Sequence, residues 1–244
     1  MKTVLVIPAR YKSTRFPGKP LIDLAGKTMI ERVYGQCIKA YPAKQIFVAT
    51  EDERILLHCR SLNIQCILTS DNCLTGTDRV AEVAQQIDAD YYINVQGDEP
   101  IFNPFDISNF IDILPNYNGH ILNGYCDIAL EVDYKSVSVP KVVFRQDGRL
   151  LYMSRSAIPG NKNSLFHFGY RQVCIYAFPK KALLAFSAFN KKTLFEQEED
   201  IEILRFLEMG YEVQMIKMSS DSIPIDSPED IEKVLKIIGH DKQF

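Results

Sequence analysis

The stretch TVLVIPARYKSTRFPGKP, residues 3–20, joins a short apolar run to a loop rich in cations and prolines. The run TVLVI predicts a strand that is buried on both faces, as strands of parallel sheets are. The loop after it carries four cations within ten residues: Arg10, Lys12, Arg15 and Lys19. Because like charges this close repel one another, the sequence predicts that something anionic binds at the end of the first strand.

The composition excludes several classes of protein. The chain has 244 residues, of which 46% are hydrophobic and 24% charged, so it is long enough for a large core and is neither disordered nor membrane-like in composition. A net charge of −3 argues against a general nucleic-acid binder. Six cysteines form no CxxC pair, which argues against a structural zinc site. We find neither a signal peptide nor a membrane span, and expect a cytoplasmic protein with reduced thiols.

The order of apolar segments predicts the fold class. Strand patterns at 3–7, 46–50, 65–68 and 91–95 alternate with helical patterns, which indicates an α/β fold with a mixed, mostly parallel sheet. After residue 100 the rhythm changes, and Asp147–Gly148 between two apolar runs predicts an antiparallel ribbon. We therefore expect one domain, residues 1–244, with a hairpin insertion around 120–178.

Three unusual loops begin at the carboxyl ends of predicted strands, where open α/β sheets bind ligands. The first is the basic loop, residues 7–20, whose cations suit a nucleoside triphosphate, although a solvated surface segment is the alternative. The second is TGTDR, residues 75–79, in which Gly76 allows a close approach to a ligand and Thr77 is a candidate helix cap. The third is QGDEP, residues 96–100. Neither a Walker loop nor a GxGxxG fingerprint is present.

The acidic residues predict a magnesium ion. Asp98 and Glu99 are adjacent carboxylates beside the predicted phosphate site, and they would raise one another's pKa unless a cation intervened. Mg²⁺ binds one or two carboxylates together with substrate phosphates, which explains acidic and basic loops at one end of a sheet. Asp226, after the last predicted strand, is a candidate second ligand. The alternative for all three residues is a turn or the start of a helix.

Five segments together resemble the 3-deoxy-manno-octulosonate (Kdo) cytidylyltransferases. They are IPARYKSTRFPGKPL, GTDRVAEV, INVQGDEP, PKVVFRQDGRLLYMSR and IDSPEDIEKV, and the likeness spans nearly the entire chain. The resemblance implies a three-layer, Rossmann-like fold of the nucleotide-diphospho-sugar transferase type. It also implies transfer of CMP from CTP to an acidic eight-carbon sugar, with release of pyrophosphate and assistance from Mg²⁺.

The resemblance also assigns roles to individual residues. The residues that match the family's triphosphate-binding positions are Arg10, Arg15 and Lys19. The candidate catalytic residues are Lys19, Arg10 and Asp98. Asp98 and Asp226 match metal-binding aspartates, and Thr75, Gly76 and Thr77 match a nucleotide-binding loop. The positions matched to sugar contacts are Arg155, Gln172, Tyr176, Glu196 and Gln197. For two of these the residues themselves leave another role open, since Tyr176 suits a core and Glu196 a helix start.

The chain departs from the family pattern on the sugar side. The family usually carries histidine in a segment like RHxGIYAY, which reads RQVCIYAF here, with Gln172 and Cys174. Glutamine cannot become cationic, so an interaction of a charged imidazole would be lost unless His167 compensates. The alternatives are therefore a modified Kdo, for example an 8-amino form, a sialic-acid-like sugar, or a catalytically silent nucleotide-binding regulator.

The resemblance further implies a homodimer, with the hairpin around Asp147 as a candidate arm. We expect CTP and an acidic sugar as partners, and neither nucleic acid nor membrane. If the sugar is Kdo, the product would enter the synthesis of lipopolysaccharide or of an acidic capsule.

Overall fold

The computed structural model describes residues 1–12, 16–189, 191–225 and 227–240. These residues form one sheet of nine strands: β1 Thr3–Pro8, β2 Ile46–Thr50, β3 Cys66–Leu68, β4 Tyr91–Val95, β5 Ile121–Asp127, β6 Lys141–Phe144, β7 Leu150–Ser154, β8 Tyr170–Pro179 and β9 Val213–Lys217. The central order is β3-β2-β1-β4-β8-β5-β9. Within this central order of the described strands, β8 alone is antiparallel to its neighbours, β4 and β5, so the predicted mixed, mostly parallel sheet is confirmed.

The described residues also form helices on both faces of this sheet. They are α1 Met29–Ala40, α2 Glu53–Ser61, α3 Gly76–Gln86, α4 Pro104–Ile113, α5 Glu131–Lys135, α6 Lys180–Ser187, α7 Leu194–Glu199, α8 Ile203–Glu208 and α9 Pro228–His240. Short 3₁₀ turns lie at Lys19–Leu21, Ala43–Gln45 and Leu114–Tyr117. None of the helices in the described ranges is long and apolar enough to cross a bilayer.

Strand β1 shows why the molecule has three layers. Leu5 and Ile7 pack into a core with α1, α2 and α4, whereas Val4 and Val6 pack into a second core with α3, α6 and α8. Because successive side chains of a strand point to opposite faces, a strand that is apolar throughout must be covered on both sides. This is the arrangement that its sequence predicts.

A third, smaller core brings the C-terminal helix to the loop end of the sheet. Val234 and Ile238 of α9 pack with Leu24 and Met29, close to the start of α1, and with Ile225. Ser227 directly precedes Pro228, and its backbone N–H donates to Asp230 at 3.1 Å, as expected at the start of this helix. The packing fixes Ile225 near the loops that follow β1 and β4.

The predicted antiparallel ribbon is present as β6 and β7, joined by a turn in which Gly148 has a φ of +84°. Positive φ favours glycine at that position. Two other strands inside the predicted 120–178 insertion, β5 and β8, belong to the central order of the sheet. The predicted insertion therefore spans two strands of the central sheet. The sequence of β8 indicates a strand, but it does not indicate that this strand pairs with β4 and β5. The role of the ribbon in dimerisation stays a prediction.

Candidate active site

The loops after β1 and β4 meet at the carboxyl end of the sheet. The two strands are parallel neighbours, with Val6 opposite Asn94. A Cβ added to Gly97 would lie 2.7 Å from the carbonyl oxygen of Pro8, so only glycine permits this approach of the backbones. A Cβ added to Gly76, at the start of α3, would lie 3.5 Å from Pro8 and 3.6 Å from the Gln96 amide. The three loops singled out in the sequence are thus in contact.

Lys19 and Asp98 form the centre of this contact. The Lys19 ammonium donates to Asp98 Oδ2 at 2.7 Å and to the carbonyl oxygen of Ile225 at 2.9 Å. The Asp98 carbonyl accepts the backbone N–H of Ile225 at 3.0 Å. Both side chains keep some exposure, 17% for Lys19 and 28% for Asp98. Residues from three remote parts of the chain therefore meet at one partly exposed site, which contains a positive and a negative side chain.

Two predicted site residues, Arg15 and Asp226, lie outside the described residues, and their assignments stay predictions. Arg10 is exposed directly beyond β1. Ile225, the residue before Asp226, is bonded to both Lys19 and Asp98.

The carboxylate next to Asp98 has a different environment. Glu99 is buried, and its carboxylate accepts a hydrogen bond from the Ser222 hydroxyl. Burial, with a smaller contribution from the Asp98 charge, raises the pKa of Glu99 to about 7. The sequence predicted mutual repulsion within this pair, but desolvation is the larger cause. Asp98 thus faces Lys19, while Glu99 holds the segment that leads to Ile225.

That segment is held at further points. The backbone N–H and the hydroxyl of Ser219 donate to the Asp106 carboxylate at 3.1 and 2.7 Å. The Arg171 guanidinium donates to the carbonyl oxygens of Ser220 and Ser222 at 3.2 and 3.4 Å. The chain therefore approaches Asp98 along a fixed path.

The start of α3 has a partner that sequence reasoning missed. Glu202 accepts the backbone N–H groups of Gly76 and Thr77 at 3.0 and 2.8 Å, and also the Thr77 hydroxyl. Burial raises the pKa of Glu202, while the bonds from Thr77 act in the opposite direction. The segment EEDIEILR gives no signal that this carboxylate, among several, is the buried one. An anion could use those two N–H groups only if Glu202 moved.

The predicted cap of α3 was wrong by two residues. Thr75, not Thr77, is the N-cap, and it forms a reciprocal capping box with Asp78. The hydroxyl of Thr77 is used by Glu202 instead. The helix consequently includes Gly76 and Thr77 in its first turn.

The first of the residues matched to sugar contacts, Arg155, directly follows β7. The Arg155 guanidinium donates to three backbone carbonyl oxygens, those of Glu199 at 2.5 Å, Val137 at 3.0 Å and Asp200 at 3.0 Å. It thereby ties the end of β7 to the end of α7. The sugar-binding role of Arg155 stays a prediction.

Two further members of this set lie on β8 and are buried. The Gln172 amide donates to Asn123 Oδ1 at 3.0 Å. The Tyr176 ring stacks on Phe178 with centroids 5.5 Å apart, and burial raises the pKa of its hydroxyl well above the usual range. His167, considered as a substitute for the missing family histidine, is exposed in the loop before β8.

The last two members are neighbours with opposite environments. Glu196 is fully buried, and its two carboxylate oxygens each accept a hydrogen bond at 2.6 Å from the Arg205 guanidinium. Arg205 also donates to Asp78 at 3.0 Å and lies 3.7 Å above the Phe186 ring. Gln197 is exposed. Glu196 is therefore already paired within the protein, whereas Gln197 is open to solvent.

The described ranges contain no group of three or more His, Cys, Asp or Glu side chains able to hold a metal ion. A magnesium ion needs fewer protein ligands than that, because it retains waters and takes oxygens from substrate phosphates. Asp98 is a partly exposed carboxylate that already has one cationic partner, Lys19. The Asp98 carboxylate is therefore suited to be one of the protein ligands of a magnesium ion.

Comparisons with known proteins agree with the geometry. A family model described as "Cytidylyltransferase" matches residues 4–221. The 3-deoxy-manno-octulosonate cytidylyltransferase of Protochlamydia amoebophila is 39% identical over 94% of this chain and 91% of its own length. The enzyme of that name from Geobacter metallireducens is 39% identical over 97% of both. A solved structure of a CMP:2-keto-3-deoxy-manno-octonic acid synthetase complexed with CTP superposes with a TM-score of 0.91 at 32% identity, covering 99% of this chain and 100% of that one.

Proposed function

The chain belongs to the family of 3-deoxy-manno-octulosonate cytidylyltransferases, and from this premise we propose that it transfers CMP from CTP to the anomeric hydroxyl of Kdo. The observation that carries the proposal is the contact of Lys19 with Asp98 at 2.7 Å, where the loops after β1 and β4 meet. This is the position at which α/β sheets bind ligands, and it offers both a cation for phosphate and a carboxylate for a metal.

In the proposed reaction the anomeric oxygen attacks the α-phosphorus of CTP. The new phosphorus–oxygen bond forms as the bond to the leaving pyrophosphate breaks, and the proton of the hydroxyl passes to water. Catalysis of phosphoryl-type transfers consists mainly of positioning and of charge stabilisation. The ammonium of Lys19 would offset negative charge on the phosphates, and the exposed Arg10, at the start of the basic loop, would contribute a second positive charge.

We propose that Asp98, together with Asp226, holds Mg²⁺. A bound Mg²⁺ ion neutralises triphosphate charge and favours deprotonation of a hydroxyl group. The support for Asp98 is its partial exposure and its position beside Lys19. The support for Asp226 is its place in the sequence directly after Ile225, whose backbone is bonded to Asp98.

Two candidates are considered for the acidic sugar that accepts CMP. Kdo is favoured by the names of the relatives, and Gln172 is the observation that favours an altered sugar. Its amide is buried and donates to Asn123, and it cannot carry the charge of a histidine. An 8-amino derivative or a sialic-acid-like sugar is therefore the second candidate.

The test is pyrophosphate release from CTP and Mg²⁺ with a panel of Kdo, 8-amino-Kdo and a nonulosonic acid. We expect the largest kcat/KM with Kdo. A larger value with either other sugar would replace the proposed substrate, and release with none of them would favour the silent nucleotide-binding regulator. Omission of Mg²⁺ with EDTA present should abolish turnover, and unchanged turnover would remove the metal from the proposal.

We also propose a homodimer of cytoplasmic location that supplies lipopolysaccharide or capsule synthesis. The support for a dimer is apolar exposure on and near the ribbon, with Leu151 of β7 59% exposed and Val137 68% exposed. Light scattering should give twice the chain mass, and Leu151→Glu should reduce it. A single-chain mass for the unaltered protein would contradict the dimer.

A further inference from the structure

We propose that Glu51 is a positioning residue for the basic loop, and that its ion pair with Arg79 couples this loop to α3. The inference rests on the proposed function and deepens it, because it concerns how the triphosphate-binding cations are held. Glu51 directly follows β2, the neighbour of β1, and it is not among the residues that the family motifs single out. Its carboxylate is nearly buried, with 3% of the side chain exposed.

One oxygen of the Glu51 carboxylate holds the start of the basic loop. Oε1 accepts the backbone N–H of Tyr11 at 2.9 Å and that of Lys12 at 3.3 Å. These are the first two residues after Arg10. A carboxylate that accepts two backbone N–H groups fixes the direction in which the chain leaves the sheet. Glu51 thereby sets the path of the backbone on which Arg10 is carried.

The other oxygen joins this anchor to α3. Oε2 lies 3.0 Å from a guanidinium nitrogen of Arg79, which is also 3% exposed at its side chain. Arg79 in turn donates to the Thr69 hydroxyl and, at 3.5 Å, to the carbonyl oxygen of Ser70. Arg79 belongs to the first turns of α3, which begins at the predicted nucleotide loop. One carboxylate therefore connects two loops that the proposed function assigns to the nucleotide.

A chain of bonds leads from Glu51 to Lys19. The Tyr11 carbonyl accepts the backbone N–H of Gly18 at 3.0 Å, which closes the loop on itself immediately before Lys19. The Tyr11 ring lies 3.4 Å below the guanidinium of Arg54. Moving Tyr11 would move Gly18, and with it the ammonium that contacts Asp98. The anchor thus controls both Arg10 and Lys19.

To separate a positioning role from a purely structural one, a variant must lose the anchor and still fold. Buried ion pairs often contribute little net stability, and their replacement by apolar residues of similar volume is often tolerated. The double variant Glu51→Met/Arg79→Met removes both buried charges and also the acceptor for Tyr11 and Lys12. It is therefore expected to fold, with the anchor lost.

The experiment compares this double variant, Glu51→Ala and Glu51→Gln with the unaltered protein, and uses Glu53→Ala, at an exposed position of α2, as the matched control. CTP affinity is measured by calorimetry with Mg²⁺, amide hydrogen exchange is followed over residues 9–12, and KM is measured for both substrates. We expect CTP affinity to fall about 10- to 100-fold in Glu51→Ala and in the double variant, and KM for the sugar to stay within about twofold. Exchange at Tyr11 and Lys12 should accelerate. Glu51→Gln should recover part of the CTP affinity, because its amide oxygen can still accept from Tyr11.

The outcomes separate this inference from the proposed function. A folded double variant with unaltered CTP affinity and unaltered exchange at residues 9–12 would overturn the positioning role. If Glu51→Ala fails to fold, the double variant and Glu51→Gln still decide. If the unaltered protein binds no CTP, the proposed function fails, while the exchange measurement still tests the anchor because it needs no nucleotide.

Discussion

The nucleotide end of the molecule and the residues matched to sugar contacts differ in how far their side chains are exposed and bonded within the protein. At the nucleotide end, Lys19, Asp98 and Ile225 converge from remote parts of the chain, and the charged side chains of Lys19 and Asp98 stay partly exposed. On the sugar side, Glu196 is paired with Arg205 inside the protein, and Arg155 donates to backbone carbonyl groups. Lys19 and Asp98 are thus partly exposed beside one another, whereas the Glu196 carboxylate is buried and already bonded to Arg205.

This difference is sharpest between two adjacent residues, Glu196 and Gln197. Glu196→Ala would remove a buried carboxylate and leave Arg205 with Asp78 as its remaining acidic partner, so we expect the free energy of unfolding to fall by about 3–5 kcal/mol. Gln197→Ala should change it by less than about 0.5 kcal/mol. Denaturant unfolding of both variants gives the measurement. Equal stability of the two, with a raised KM for the sugar in Glu196→Ala alone, would assign Glu196 to the sugar after all.

At the nucleotide end the expected effect is on rate. Lys19→Ala should lower kcat about 100- to 1000-fold, by analogy with the loss of one transition-state donor, and the protein should stay folded. Lys27→Ala, at an exposed lysine paired only loosely with Glu31 at 3.7 Å, is the control. Steady-state pyrophosphate release gives the comparison. A Lys19→Ala variant as active as the control would remove Lys19 from the mechanism.

The two neighbouring carboxylates of the QGDEP loop offer a third contrast, in pH dependence. Burial raises the pKa of Glu99 to about 7, above that of an unfolded glutamate. The folded protein therefore binds this proton more tightly than the unfolded chain does. The contribution of the protonated Glu99 to the free energy of unfolding is fully present below about pH 4.5 and is lost as the pH rises to about 7. The loss is on the order of 3 kcal/mol.

The measurement is the free energy of unfolding at pH 5 and pH 8 in magnesium-free buffer. Glu99→Gln should lose less stability between these values than the unaltered protein, while Glu53→Gln, at an exposed position, should behave like the unaltered protein. Identical pH dependence in all three would show that Glu99 is ionised throughout.

Most of the fold could be predicted from sequence because its signals are local. Strands such as TVLVI and YYINV are apolar throughout, and parallel order follows from their alternation with helices. The membership of β8 in the central sheet could not be predicted in this way, since pairing partners are set by tertiary packing. The same holds for the cap of α3, where both Thr75 and Thr77 are competent and Glu202, distant in sequence, decides.

The candidate site was predictable where charged residues sit in contiguous motifs at strand ends, as Lys19 and Asp98 do. It was not predictable where burial decides. Nothing in FEQEED or ATED distinguishes the buried Glu196 or Glu51 from exposed neighbours, because the partners Arg205 and Arg79 come from other segments. Such ion pairs can be found only when the fold brings their members together.

We propose that Asp98 binds a metal ion together with the CTP triphosphate, beside Lys19. The most direct measurement is calorimetric titration of CTP, with and without Mg²⁺, into the unaltered protein and into Asp98→Asn, which keeps the shape and removes the charge. We predict that Mg²⁺ strengthens CTP binding to the unaltered protein about tenfold or more, and that this gain disappears in Asp98→Asn. An equal gain from Mg²⁺ in both proteins would show that Asp98 does not bind the metal ion.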